Sequence, residues 1–554
     1  MKSDGPRPHE TQRSVAKADA WWRGAVIYQI YPRSFLDTNG DGVGDLQGCI
    51  KGLDHIASLG VDAVWLSPFF TSPMDDYGYD VADYRDVDPM FGTLADFKAF
   101  VEAAHARDIK VIIDQVYSHT SDQHSWFIES RASRNNPKAD WYVWADPKPD
   151  GSPPNNWQSV FGGCSWEWDA RRRQYYLHNF LTSQPDLNLH NKEVQDALLD
   201  VARFWLEFGV DGFRLDAINF AMHDPDFRDN PPARVFKKPP TRPFDFQEHR
   251  FNQSHPDIVG FLERVRDVTN AYDGAFTVAE IGGPNPLSEM KAFTLGDERL
   301  NSAYSFDYLY ADSLNAELVR SSSLNWSEDD GWPSWAFSNH DAPRAVSRWA
   351  GDADPDDYSK FAAMLLLCLR GNVFLYQGEE LGLPQADVPF EHLKDPEAIK
   401  NWPETLGRDG ARTPLPWTRS APNGGFSSGD PWLPVDQRHI DRAVDAQNAD
   451  PASVLEFVRS MVAFRNATPS LRAGAITFYT APQEILAFTR TNGDDELLCI
   501  FNLATTPVDW SPPDAADWRV VRSVNLDAKA DGNKDLIPSQ LSPASGYIAR
   551  RAAS

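Results

Sequence analysis

Carboxylates and histidines recur just past short apolar runs of this 554-residue chain, in types that could do acid–base and nucleophilic chemistry. Arg214 and Asp216 close the run GVDGFRLD, Glu280 ends FTVAE, and Asn339, His340 and Asp341 follow SWAFS. An earlier run, KVIIDQVY, leads from Asp114 to His119. Two carboxylates with separate tasks suit cleavage of a glycosidic bond. One attacks the anomeric carbon, while the other protonates the leaving oxygen and later activates water. A single Asp at such a place would as readily cap a helix; three of them, each past a different run, are harder to read as caps. Arg214 lies two residues before Asp216, so in a strand both side chains share a face. The guanidinium is expected to keep Asp216 ionised, as a nucleophile requires. Glu280 follows Phe276, Val278 and Ala279, an apolar setting expected to raise its pKa toward that of a working acid.

Elements able to position these groups are visible on either side of them. From about Trp22, eight short runs rich in β-branched and aromatic residues read as strands: AVIYQIYP, VDAVWLSP, KVIIDQVY, GVDGFRLD, FTVAEIG, AYSFDY, SWAFSN and NVFLYQG. Amphipathic stretches lie between them. In KEVQDALLDVARFWLEFG, Val194, Leu198, Val201, Trp205 and Phe208 recur at +4, +7, +11 and +14, one apolar stripe of a helix. TLADFKAFVEAAHARD and HPDIVGFLERVRDVTN read alike. Eight strands alternating with helices predict an α/β fold, a (β/α)8 TIM barrel whose site lies at the C-terminal strand ends. Residues 119–183, rich in Trp, Asn, Pro and Gly, are too long for an ordinary loop and predict an inserted subdomain after strand three. The expected division is therefore barrel over 1–118 (with 1–20 a flexible N-terminus), subdomain over 119–183, and barrel again over 184–474. A C-terminal antiparallel β domain follows over 475–554, carrying AITFYT, EILAFTRT, ELLCIFNL and YIARR. Leu383 to about Leu433, full of Pro and Gly, is expected to rim the site.

Composition narrows the partners. With 53 basic against 80 acidic residues the net charge is −27, which repels nucleic acid and anionic membranes and suits an uncharged small molecule. Nineteen Trp and seventeen Tyr could stack on sugar rings, although most aromatic side chains are core. Cys49, Cys164, Cys368 and Cys499 form no CxxC pair, which argues against a zinc site and for a reducing compartment. The first twenty residues hold no apolar segment of a signal peptide, and the longest apolar run, FAAMLLLCL, is too short to span a bilayer. A cytoplasmic protein, monomeric or homodimeric, is expected.

The loop DTNGDGVGDLQG places oxygen donors at Asp37, Asn39, Asp41 and Asp45, with the Val43 carbonyl among them. That spacing is EF-hand-like, though the twelfth position is Gly48 rather than Glu, and it predicts one structural Ca2+ or Mg2+. The plain alternative is an Asp/Gly turn without a metal. No organic cofactor is expected.

From about Trp21 onward the chain resembles the α-amylase superfamily, glycoside hydrolase family 13, in its α-glucosidase branch. The resemblance rests on GFRLDAINF, TVAEIGG and FSNHD, with DYGYDVADY, QPDLN and GEELG in the same order. It implies Asp216 as nucleophile, Glu280 as acid/base, and Asp341 as the third carboxylate, holding sugar hydroxyls. It further implies Asp76, Tyr79, His119, Arg214 and His340 in the pocket for the terminal glucose, with Arg408 or the nearby Arg412 as a further contact. A structural salt bridge is the alternative for Asp76 and Arg408. The family usually has Asn where Ser118 stands, so the calcium that this Asn ligates in amylases is in doubt here, whereas related α-glucosidases have a metal in the Asp37 loop. Relatives favouring α-1,6 bonds tend to have Val at the position of Ala217, and those favouring α-1,4 bonds Ala or Thr. Maltose and short α-glucosides are thus the expected substrates, with glucosyl transfer possible. Oligo-1,6-glucosidase, sucrose hydrolase and trehalose-forming isomerase are the nearest alternatives. A non-catalytic scaffold or carbohydrate-binding barrel is more remote, since such a protein would not need the carboxylate pair.

Overall fold

Each of the eight apolar runs becomes a barrel strand. The computed structural model describes residues 20–235, 240–283, 285–324, 326, 331–404, 407–526 and 536–551; apart from Ala20, the N-terminus expected to be flexible lies outside them. The strands are β1 (Val26–Ile30), β2 (Ala63–Leu66), β3 (Lys110–Val116), β4 (Gly212–Asp216), β5 (Phe276–Ile281), β6 (Ser302–Ser305), β7 (Trp332–Ala336) and β8 (Asn372–Tyr376). Each hydrogen-bonds to its sequence neighbour and β8 returns to β1, so the parallel sheet closes. Closure leaves no edge, and continuous rather than alternating hydrophobicity follows because both faces are covered.

The helices form where the apolar stripe predicts. α1 (Lys192–Phe208) buries Val194, Leu198, Val201 and Trp205. Asn191 caps its first turn, and Gly209, at φ 111°, ends it in a left-handed conformation suited to a residue without Cβ. The Trp205 ring lies edge-on to Phe69 at 5.7 Å and to Phe97 at 5.2 Å, tying α1 to the segment after β2 and to the helix Leu94–His105. Burying a side chain of that size contributes about 1.5–3 kcal/mol. Inside the barrel a separate cluster (Ile27, Trp65, Ile112, Val278, Tyr304 and Phe374 among others) fills the space beneath the site.

Register aligns the chemistry. Asp114 pairs with Arg214 across β3 and β4, and Glu280 with Tyr304 across β5 and β6. With a side-chain period of two, Arg214 and Asp216 both face inward. After β3 the chain builds a helix, Ser125–Ala132, and a three-stranded antiparallel sheet from Trp144–Ala145, Trp166–Asp169 and Gln174–Leu177. At the C-terminus an antiparallel sheet contains the four expected strands, β9 (Ala475–Phe478), β10 (Ile485–Asn492), β11 (Asp495–Asn502) and β13 (Ser545–Arg551), and a fifth, β12 (Trp518–Val524). β12 escapes the sequence pattern because its outer face carries Arg519 and Arg522 and much of it stays accessible. Buried Arg490 joins this sheet to the barrel by donating to the Cys368 carbonyl at 2.7 Å. Among the described residues no helix is long and apolar enough to cross a membrane.

Candidate active site

At the C-terminal strand ends a single guanidinium organises the carboxylates. Arg214, wholly buried, puts Nη1 2.6 Å from Asp114 Oδ1 and 2.5 Å from Asp216 Oδ1, and Nη2 against Glu280 Oε1. Its Nε donates to the Tyr304 hydroxyl at 3.1 Å, and its Cζ lies 4.9 Å from the centre of the Trp65 ring. Three carboxylates thus share one cation, and the expectation that Arg214 keeps Asp216 ionised needs correction. Burial, with Asp114 nearby, outweighs the shared guanidinium and pushes Asp216 up to about 7. Burial likewise pushes Glu280 up to about 7, against the pull of Arg214, as expected from its apolar strand. Asp114 is also lifted by burial to about 7. Near neutrality the set therefore retains a proton among its members.

Immediately after Asp216 the backbone turns sharply. Ala217 stands at φ 38° and ψ 39°, a left-handed conformation uncommon for a residue with a Cβ. The turn lets its N–H donate to Glu280 Oε2 at 3.2 Å, so the end of β4 touches the acid/base candidate on β5.

Across the mouth, Asp341 is the most accessible of the three expected carboxylates. Arg412 Nη2 reaches its Oδ1 at 2.6 Å and Arg408 Nη1 at 3.4 Å. Although burial opposes it, the guanidinium groups of Arg412 and Arg408 hold this carboxyl well below the usual range. Arg408 also binds Asp76 at 2.9 Å and Asp395 at 2.8 Å. The salt bridge between Asp76 and Arg408 is therefore real, and the same arginine also reaches the site. Both arginines contact Asp341, Arg412 more closely. The Tyr79 hydroxyl is 2.6 Å from His340 Nε2, and the two rings stack at 5.4 Å. The Gln29 amide nitrogen lies 2.8 Å from His340 Nδ1. Because that amide nitrogen can only donate, the proton of the neutral ring is assigned to Nε2, facing Tyr79 and Asp341. Burial lowers His340 to about 3 and His119 to about 4, so both stay neutral. His119 is buried, 3.1 Å from the Tyr79 carbonyl through Nε2 and 2.9 Å from Ser118 Oγ through Nδ1.

All the expected pocket residues thus fall into one connected network. Sequence reasoning missed Asp114 as a partner of Arg214, Tyr304 beside Glu280, Gln184, which donates to Asp76 at 3.1 Å, and Asp395. For Gln184 the signal was present, since it begins the QPDLN stretch; for Tyr304 it was only an aromatic inside a strand.

The expected metal loop is laid out differently. Asp37 accepts from the backbone N–H groups of Asn39, Gly40 and Gly42. Asp45 takes Thr38 and caps the next helix through Gly48, while Asp41 takes the Val43 N–H and the Asn39 amide. Among the described residues no three His, Cys, Asp or Glu side chains gather as a metal set. The hard oxygen donors nevertheless suit such a cation, and Asp37 and Asp45 are buried with only neutral hydrogen-bond donors around them.

Residues 29–474 match the family described as alpha amylase, catalytic domain. The chain is 54% identical over 508 residues to a probable alpha-glucosidase of Rhizobium meliloti (strain 1021), covering 90% of this chain and 92% of that one. It is 37% identical over 538 residues to an oligo-1,6-glucosidase of Heyndrickxia coagulans, covering 90% and 95%. The solved structure of the alpha-glucosyl transfer enzyme XgtA superposes with a TM-score of 0.91 at 50% identity, over 96% of this chain and 100% of that one. The chain belongs to the α-amylase family of glycoside hydrolases, glycoside hydrolase family 13. Within that family it is an enzyme of the α-glucosidase and oligo-1,6-glucosidase group.

Proposed function

We propose that the protein is a retaining α-glucosidase that releases terminal α-glucose from short α-glucosides, preferring α-1,4 bonds, through a glucosyl ester on Asp216. The observation that carries this reading is the gathering of Asp216 and Glu280 on adjacent nitrogens of one buried guanidinium. Such a grip favours the separation of about 5–5.5 Å of retaining sites over the 6.5–9.5 Å that leaves room for a water between the carboxylates.

In the first step ionised Asp216 attacks C1, the C1–O bond breaks, and Glu280 gives its proton to the leaving oxygen. In the second, water loses a proton to Glu280 and attacks C1, releasing α-glucose and ionised Asp216. An alcohol in place of that water yields a transfer product. Every proton and electron pair is accounted for by these two carboxylates and water, with no organic cofactor. Arg214 steadies the ionised forms, while Asp341, Asp76, Arg408 and Arg412 form a charged rim able to grip glucose hydroxyls, with Tyr79, His119 and His340 completing the pocket. Ala217 has the smallest side chain that leaves a Cβ beside the scissile bond, which supports the α-1,4 preference. Asp37, Asn39, Asp41, Val43 and Asp45 would hold one structural Ca2+ or Mg2+, remote from any proton transfer, and chelation should then lower Tm without changing the products.

A second reading, α-1,6 preference, has the Heyndrickxia coagulans relative in its favour. Proton NMR of the products from maltose, isomaltose and sucrose separates the two. Fastest cleavage of maltose supports the proposal, while faster isomaltose or sucrose cleavage keeps the mechanism and reverses the linkage.

A further inference from the structure

Tyr304 takes no part in the steps above, yet its hydroxyl lies between Arg214 and Glu280. Arg214 Nε is 3.1 Å from the phenol oxygen, and that oxygen is 3.0 Å from Glu280 Oε1. A guanidinium nitrogen only donates, so the phenol oxygen accepts from it, and its single proton is directed at Glu280. Oε1 then receives the Tyr304 hydroxyl proton and lies in ion-pair contact with Arg214 Nη2. Oε2 has the Ala217 N–H at 3.2 Å, a longer and weaker contact.

From this asymmetry we infer that Tyr304 is a positioning residue that reserves Glu280 Oε1 as an acceptor, so that the transferable proton resides on Oε2. A proton on Oε1 would meet the phenol proton and the guanidinium charge, whereas on Oε2 it meets only the longer Ala217 N–H contact at the end of β4. The inference deepens the proposed mechanism and rests on Glu280 being the acid/base. Burial keeps the phenol itself protonated by raising it far above its ordinary value. The site is rigid enough to hold the arrangement: Tyr304 is 1% exposed, pairs in register with Glu280, and packs on Phe374 at 5.5 Å. The other charged or titratable groups that act on Glu280 are Arg214 and Asp216 on β4, Asp114 on β3, and Asp341 and Tyr310 beyond β7 and β6. Of these and Tyr304, Tyr304 hydrogen-bonds the carboxylate and Arg214 pairs with it as an ion.

The test is Tyr304→Phe, assayed by the pH dependence of kcat/KM on maltose and on 4-nitrophenyl α-glucoside. Losing a donor to the ionised carboxylate raises its pKa, so the alkaline limb should move up by about one pH unit. Turnover of maltose should fall about tenfold, part of the 10²–10⁴ that a positioned acid supplies. The nitrophenyl substrate, whose leaving group needs little protonation, should lose far less. An unmoved limb with equal losses on both substrates would overturn the inference and make Tyr304 a packing residue. Replacing Tyr304 by difluorotyrosine keeps the shape and strengthens the donor, so its limb should move down, and a limb that stays put there would be equally fatal. Failure of the underlying reading is separable: Glu280→Gln would then still cleave maltose normally, whatever happens at residue 304.

Discussion

Replacing Ala217 by Val tests both the local backbone and the linkage preference. The position is left-handed, at φ 38° and ψ 39°, where a Cβ already crowds the following carbonyl and a β-branched side chain crowds it more. Left-handed strain of about 1–2 kcal/mol is already borne by Ala217, and branching at Cβ adds a cost of the same order. For a chain of 554 residues, at about 2.1 cal/mol/K per residue, the unfolding entropy is about 1.2 kcal/mol/K, so Tm should drop by roughly 1–2 °C. On the proposed reading the two added methyls would stand beside the bond to be cut. One methylene in a pocket changes discrimination by about 1–3 kcal/mol, or 10–200-fold, so kcat/KM on maltose should fall at least tenfold relative to isomaltose. The Ala217 N–H also holds Glu280 Oε2 at 3.2 Å, and a backbone shift to relieve strain would lower both substrates together. Ala217→Gly, free of Cβ strain, should keep the maltose preference with no loss of Tm. Kinetics on both disaccharides and a melting curve decide the matter. An unchanged maltose-to-isomaltose ratio in the Val variant would refute a linkage role for this side chain.

Two further outcomes follow from the buried charges. The proposed mechanism needs one carboxylate ionised and its neighbour protonated, so kcat/KM should trace a bell. Since Asp216 and Glu280 are each lifted to about 7, repulsion splits their titration into a step on either side of neutrality, with the maximum between; a plateau from pH 5 to 9 would contradict this. The second concerns stability. The folded pKa of Asp216 lies above the ordinary 3.8, at about 7, so stability due to this group is full below about pH 4, declines as pH rises, and is lost above about 7. Asp216→Asn cannot ionise and should melt higher than the native protein at pH 8, with the gain vanishing near pH 4; a pH-independent difference would point to packing instead.

Much of this architecture was legible because it is written in local patterns. Eight apolar runs separated by amphipathic helices pointed to a closed parallel sheet rather than an open one, and Asp216, Glu280 and Asp341 stood at the strand ends where such a barrel places its chemistry. What stayed hidden depends on contacts across strands and loops. The sharing of Arg214 among Asp114, Asp216 and Glu280 follows from the β3–β4 register, which periodicity along one strand does not fix. Tyr304 looked like any core aromatic until its pairing with Glu280 was known. Arg408 and Arg412 were ambiguous for the same reason: only the fold of the loop after β8 shows both on Asp341. The Asp37 loop was found by spacing, yet spacing does not say whether its oxygens turn to a cation or to backbone N–H groups.

The covalent intermediate offers the most direct test. Incubation with a fluorinated α-glucosyl fluoride, which slows release of the glucosyl group more than its capture, followed by peptide mapping, should place one glucosyl label on Asp216, with none on the Asp216→Asn protein. A label on another residue, or β-glucose as the first product from maltose, would contradict a double displacement through Asp216.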